Sequence, residues 1–253
     1  HQILEIVIQI LFHLILFWAL TLTVNAQNQS IKSIRAQRIE ITSAYEPTSE
    51  TKAKKIIAAY KNQVDRIMTP TLGLSLNAME AKRPESKLSN WAADVMVETS
   101  TATGLEKADM GLFNMGGLRN SMPEGIIRAG DIYLISPFEN DVVVLEMKGK
   151  NVIELMHNIA AVGGEGVSAE VRMEISEKGE LLNATIGGKP IEKKRTYRIA
   201  TIDYLAEGND KMYALKKHKK KYFMKKHARD AMMESVIKNR TIGSKTEGRI
   251  SIK

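Results

Sequence analysis

Apolar residues run almost unbroken from Ile3 to Val24, with Glu5 the only charge, and give way to polar sequence at Gln27. Val24, Asn25 and Ala26 supply residues of the size a signal peptidase reads. The pattern predicts a secretory signal over residues 1–26, so that the protein is secreted or periplasmic and leaves the membrane once the signal is cut. The same run is long enough to serve as a membrane anchor, and the two readings stay open. Residues 27–46 show no strong periodicity. Ile56, Tyr60, Val64 and Ile67 then share one face and predict an amphipathic helix over 51–68, stopped by Pro70. Leu88, Trp91, Ala92, Val95 and Thr99 repeat at helical spacing and predict a second helix over 86–102, with Gly104 as its stop.

After Gly104 the period changes. A short strand is expected over 108–113, and the β-branched run 142–147 reads as a buried strand. Val152, Leu155, Met156 and Ile159 predict a helix ended by Gly163-Gly164. Strands follow at 171–175, 181–186 and 196–202, then a helix at 230–239 and a closing strand at 249–252. Helices early and late around a block of strands make an α+β fold. No repeat or low-complexity linker divides it, so one domain is expected over 27–253.

Composition narrows the chemistry. The chain has no cysteine, which excludes disulfides, thiolate metal sites and thiol nucleophiles. Its net charge of +8 favours anionic partners. A two-metal hydrolase needs about four to six converging nitrogen and carboxylate ligands. Outside the apolar start the histidines are His157, His218 and His227. His157 has only Glu154 at a ligand-like spacing, and the other two sit among lysines. No metal site and no catalytic residue is therefore expected in this chain. Gly166-Val167-Ser168-Ala169-Glu170 lacks the second glycine of a nucleophile elbow, no P-loop pattern occurs, and Gly163-Gly164-Glu165-Gly166 reads as a glycine-rich turn. The basic run 216–226, with aromatics inside it, could serve a nucleic-acid binder, but reads better as a solvated loop and helix face, so no nucleic-acid partner is expected.

Three segments at strand ends carry the candidate chemistry. In the first, Asn114, Gly116, Gly117 and Arg119 follow a strand, where glycines admit a ligand close to backbone N–H groups and arginine adds a forked cation. In the second, Phe138 and Asn140 precede the buried strand, pairing an aromatic face with an amide. In the third, Tyr204 opens a stretch in which Asp210 follows a glycine turn. Two rings, an amide, an arginine and a carboxylate at strand ends suit a nucleoside.

The chain resembles the C-terminal domain of the 5'-nucleotidase family from about Glu85 to Ile250. The resemblance is carried by Leu88-Ser89-Asn90-Trp91-Ala92-Ala93-Asp94, the Asn114–Arg119 motif, Gly125-Ile126-Ile127, Pro137-Phe138-Glu139-Asn140, Leu145-Glu146-Met147-Lys148-Gly149 and the Tyr204–Asp210 segment. It implies a mixed central sheet flanked by helices. It also implies that Phe138 and Tyr204 sandwich a base, that Asn140 meets the base edge, and that Asp210 holds the ribose hydroxyls. Asn114 and Arg119 would face the ribose and phosphate, with Lys82 or Arg83 standing for a further upstream arginine. Three departures bear on base preference: Tyr204 replaces a common phenylalanine, Asn209 replaces a second glycine, and Ser168-Ala169 replaces Ser-Gly. Family enzymes carry a two-metal phosphoesterase domain whose histidine and aspartate motifs are absent from these residues. The resemblance thus implies the nucleotide-recognition half of a split 5'-nucleotidase, inactive alone, whose divalent metals belong to a separately encoded metallophosphatase partner. A stand-alone nucleotide or nucleoside binder for scavenging is the alternative.

Overall fold

The computed structural model describes residues 2–21, 33, 35–40, 42 and 51–253. Contacts divide the chain into two units, His1–Lys54 and Lys55–Lys253. The first contains helix α1 (Gln2–Thr21), and the described side chains of its apolar run, Glu5 to Phe17, are exposed. The expected cleavage stretch at Val24–Ala26 lies outside the described residues.

The second unit begins within α2 (Thr51–Met68), then β1 (Thr71–Ser75), α3 (Lys87–Thr99), β2 (Met110–Phe113), β3 (Gly125–Arg128) and α4 (Ala129–Ile135). It continues through β4 (Asp141–Lys148), α5 (Gly149–Ala161), β5 (Gly166–Val167), β6 (Val171–Ile175), β7 (Leu181–Ile186) and β8 (Lys189–Pro190). β9 (Thr196–Ile202), α6 (Asp203–Ala206), β10 (Lys220–His227), α7 (Ala228–Asn239), β11 (Thr241–Ile242) and β12 (Ile250–Ile252) complete it. The expected α+β class holds, although the strands form three sheets rather than one, ordered β11-β1-β3, β10-β4-β9-β2-β5 and β12-β6-β7-β8.

The five-stranded sheet is mixed: β2 and β9 run parallel, and β4 lies antiparallel to both β9 and β10. β4 is buried along nearly its whole length because α5 and α6 pack on it, which is why its sequence is continuously apolar rather than alternating. α3 packs on β2 and β9, and Gly111 lets it approach, since a Cβ there would stand 2.1 Å from the Ala93 carbonyl oxygen. α3 starts at an N-cap on Ser86, whose side chain and that of Ser89 satisfy each other's backbone N–H groups. Buried Arg249 grips Asp94 of α3 through its two terminal guanidinium nitrogens, Nη1 and Nη2, at 2.8 and 2.9 Å, tying the start of β12 to the centre.

One expectation needs correction. The basic run 216–226 is a helix face and loop only at its start, where Lys216 and Lys217 end the 3-10 turn Tyr213–Lys217: residues 220–227 form β10, at the edge of the five-stranded sheet, paired with β4 from Lys220↔Glu146 to Phe223↔Val143. The pairing partner overrides the weak strand preference of lysine. The amphipathic helix expected at 51–68 is present, and its apolar residues Ile56, Tyr60, Val64 and Ile67 are exposed.

Candidate functional site

The strand directions of the five-stranded sheet determine where the three motif segments meet. β2 and β9 are parallel, so the residues that follow them, Asn114 and Tyr204, emerge at the same end. β4 runs the other way, and Val142 pairs with Ile202, so the segment before β4 arrives at that end too. All eight candidate residues line one cavity of about 320 Å³ there. The first loop contributes Asn114, Gly116, Gly117 and Arg119, the second Phe138 and Asn140, the third Tyr204 and Asp210.

Asp210 is the centre of its hydrogen bonding. Its Oδ2 accepts from the Asn114 amide at 2.6 Å, and its Oδ1 accepts from the Tyr204 hydroxyl at 3.0 Å. That hydrogen bond, and the carboxylate charge behind it, push the Tyr204 hydroxyl above its usual pKa, so it stays protonated and donating. Asp210 sits at φ 51°, the left-handed region that aspartate tolerates better than most side chains. Asn209, which stands in place of a second glycine, does not take a positive φ: those angles fall on Gly208, Asp210 and Lys211, and the Asn209 amide donates to the Tyr204 carbonyl at 2.8 Å.

The glycines act differently. A Cβ on Gly117 would stand 2.7 Å from Asn114 Oδ1, whereas one on Gly116 would make only an ordinary contact, 3.5 Å, with Asp210 Oδ2. A side chain at position 117 would thus press on the Asn114 amide that Asp210 holds, while Gly116 keeps backbone bare at the cavity wall. Arg119 is exposed, its Nη1 bent back to the Gly116 carbonyl at 3.4 Å. Phe138 and Tyr204 remain 45 and 41 % exposed, and no stacking contact joins their rings among the described residues. The Phe138 loop is held from α7, where Ala228 N donates to the Asn140 carbonyl at 2.8 Å and Arg229 Nη1 to that of Pro137 at 3.3 Å.

Glu165 and Arg83 lie behind this cavity. The sequence does not single out Glu165 as a site residue, and offers Arg83 only as one of two upstream cations. Glu165, 1 % exposed, accepts from the Met115 N–H and from the Arg83 guanidinium. Burial raises its pKa above the ordinary value, opposed by the Met115 hydrogen bond and by Arg83, while the charge of Asp210 adds to the rise. Arg83 also donates through Nε to the Gly164 carbonyl at 2.8 Å. Of the two cations, Arg83 is thus the one tied to the site, while Lys82 lines a separate hollow with Met79 and Glu80. Ser168 and Ala169 lie elsewhere: Ser168 Oγ accepts from Gly111 N at 2.8 Å, and Ala169 lines a larger cavity near Asp94. That cavity, about 650 Å³, has the greater volume, but its acids Asp94, Glu98 and Glu170 are paired with Arg249, Lys238 and Lys107.

Among the described residues no group of three or more histidines and carboxylates could hold a metal ion. His218 Nδ1 is bonded to the Leu215 carbonyl and His227 faces Asp141 alone.

Residues 63–217 match the family model described as 5'-nucleotidase, C-terminal domain. A 5'-nucleotidase of Vibrio vulnificus is 31% identical over 140 residues, covering 54% of this chain and 25% of its own length. Protein UshA of Escherichia coli K12 is 26% identical over 161 residues, covering 61% of this chain and 28% of its own. The chain thus spans less than a third of these relatives. A 5'-nucleotidase precursor from Thermus thermophilus shares the fold with a TM-score of 0.70 at 24% identity, over 79% of this chain and 43% of that one. The family match covers more than half of the chain, and the three loops that meet at one sheet end all fall within it. The chain belongs to the 5'-nucleotidase C-terminal domain family.

Proposed function

We propose that this chain is the nucleotide-recognition part of a 5'-nucleotidase system, exported from the cytoplasm, and that it presents the phosphate to a separately encoded two-metal phosphatase. The observation that carries the reading is the cavity at the sheet end, whose walls hold two part-exposed rings and a carboxylate. A base between Phe138 and Tyr204 gains stacking on both faces, and every base offers such a face. Asp210 has lone pairs left on both oxygens after accepting from Asn114 and Tyr204, enough for a pair of ribose hydroxyls. Asn140 stands on the Phe138 side, where an amide can read a base edge. Arg119, free to swing away from its long contact with Gly116, supplies a forked cation to the phosphate.

Phosphate-ester hydrolysis by paired metals does not fit the residues of this chain, which bring no ligand cluster together among the described residues. In the reading proposed here, cleavage is the work of the metallophosphatase, and this chain binds and orients. Export rests on the apolar run from Ile3 to Val24.

The test is calorimetry with adenosine and AMP, followed by an activity assay. The purified chain is expected to bind both and to leave AMP intact, with or without divalent metal. Added metallophosphatase from the same cells should restore turnover and co-purify with the chain. Binding with no such partner would favour a stand-alone scavenging protein. AMP hydrolysis that follows this chain through stringent purification would overturn the split reading.

A further inference from the structure

The loop carrying Asn114, Gly116 and Gly117 is gripped by a carboxylate on each side. Asp210 takes the Asn114 side chain from the cavity side. Glu165 takes the next peptide N–H, that of Met115, from behind. These grips are not equivalent. Asp210 faces the cavity and is shared with Tyr204 and, in the reading above, with ligand hydroxyls. Glu165 is 1 % exposed and lines no part of the cavity, so no ligand can compete for it.

A buried carboxylate is a costly way to satisfy one N–H, because desolvation of the charge outweighs a neutral hydrogen bond. Here the cost is offset by Arg83, whose guanidinium reaches Glu165 and whose Nε is itself fixed on the Gly164 carbonyl at 2.8 Å. The chain reaches this arrangement through Gly164, at φ 106°, where a Cβ would stand 2.4 Å from the Pro84 carbonyl oxygen. The segments 83–84 and 163–165 are thereby packed backbone to backbone, and Glu165 is aimed at the start of the 3-10 turn Met115–Gly117. That turn begins with an N–H that has no partner within the helix itself.

We propose that Glu165, held by Arg83, is the positioning residue of this cavity: it fixes the Asn114–Gly117 loop in its ligand-ready form, and keeps it there when Asp210 is engaged by ligand. The ligand named is that of the reading above, but the grip on the loop does not depend on it.

The experiment therefore has a ligand-free arm and a ligand arm. In the free protein, amide hydrogen exchange at Met115–Leu118 should quicken at least tenfold in Glu165→Ala, the scale of losing one hydrogen bond to a charged acceptor. Glu165→Gln, which still offers an oxygen to Met115 N–H, should recover most of that protection. Amides of β4 and β9 should be unchanged in both. In calorimetry, Glu165→Ala should weaken adenosine roughly tenfold and Glu165→Gln by less. Should Glu165→Ala fail to fold, Arg83→Ala decides: Arg83 does not line the cavity, yet its removal should quicken the same amides several-fold. Unchanged exchange at 115–118 in a folded Ala variant, or equal loss in Ala and Gln, overturns the inference. Absence of adenosine and AMP binding by the wild-type chain would instead count against the nucleotide reading, with the exchange arm still deciding the role of Glu165.

Discussion

Tyr204 carries a hydroxyl where a ring alone would serve for stacking. The structure gives the hydroxyl an occupation: it donates to Asp210 at 3.0 Å, which fixes the ring beside the carboxylate that it shares with Asn114. Ring and hydroxyl can be separated by substitution. Tyr204→Phe keeps the stacking face and frees one oxygen of Asp210, so adenosine affinity should change by less than about 1 kcal/mol. Tyr204→Ala should cost about 1–3 kcal/mol, the scale of one base–aromatic contact. Asp210→Asn suits the same calorimetric series, because asparagine tolerates the left-handed backbone at φ 51°. It should weaken adenosine by about 1.5–3 kcal/mol and erase most of the preference over deoxyadenosine. Equal affinity in wild type and Tyr204→Ala would remove the ring from the site. All eight residues on the cavity wall were legible in the sequence, because glycines, aromatics and a carboxylate placed directly at strand ends announce themselves. Glu165 and Arg229 were not, since what marks them is burial behind loops from distant parts of the chain. Inside Gly163-Gly164-Glu165-Gly166 the glutamate reads only as part of a turn.

Among the elements, strands 171–175, 181–186 and 196–202 match their sequence patterns residue for residue, each having an apolar period and clear turn residues at its ends. The strands that escape notice are those made by their partners. β1 and β3 are short and half-exposed, and β10 is written largely in lysine. β10 is nonetheless a sound edge strand. Met224 is buried, Lys220 and Lys225 are exposed, Lys221 and Lys226 are ion-paired with Glu207 and Glu234, and the register with β4 is interrupted between Phe223 and His227, where Lys225 turns to φ 55°. Charges and a break in the ladder are what keep an edge from recruiting a second chain. Exposed Phe223 would otherwise make this edge adhesive. Replacing Lys219 and Lys220 together by valine should therefore leave the fold's circular dichroism intact, yet bring on light scattering at lower temperature and concentration than in the wild type. Scattering curves that coincide would assign those lysines some other purpose.

At the scale of the whole molecule, the cavity has no single owner in the chain. Its walls come from residues 114–119, 138–140 and 204–210, brought together only by the pairing of β2, β9 and β4. No contiguous fragment of the sequence shorter than about that whole stretch contains a complete site, and the unfolded chain contains none. Ligand and unfolding therefore compete for the same molecules, and binding must appear as added stability. With ligand at a hundred times its dissociation constant the gain is about 2.7 kcal/mol, read as a higher melting temperature that keeps climbing with concentration. A thermal scan with a panel of nucleosides would rank their affinities without any label or enzyme assay, and a ligand that leaves the melting curve in place does not occupy this cavity. On the proposed nucleotide reading, the same linkage means that more of this protein stays folded where its nucleotide is plentiful than where it is scarce, so that supply of the ligand and survival of the fold rise together.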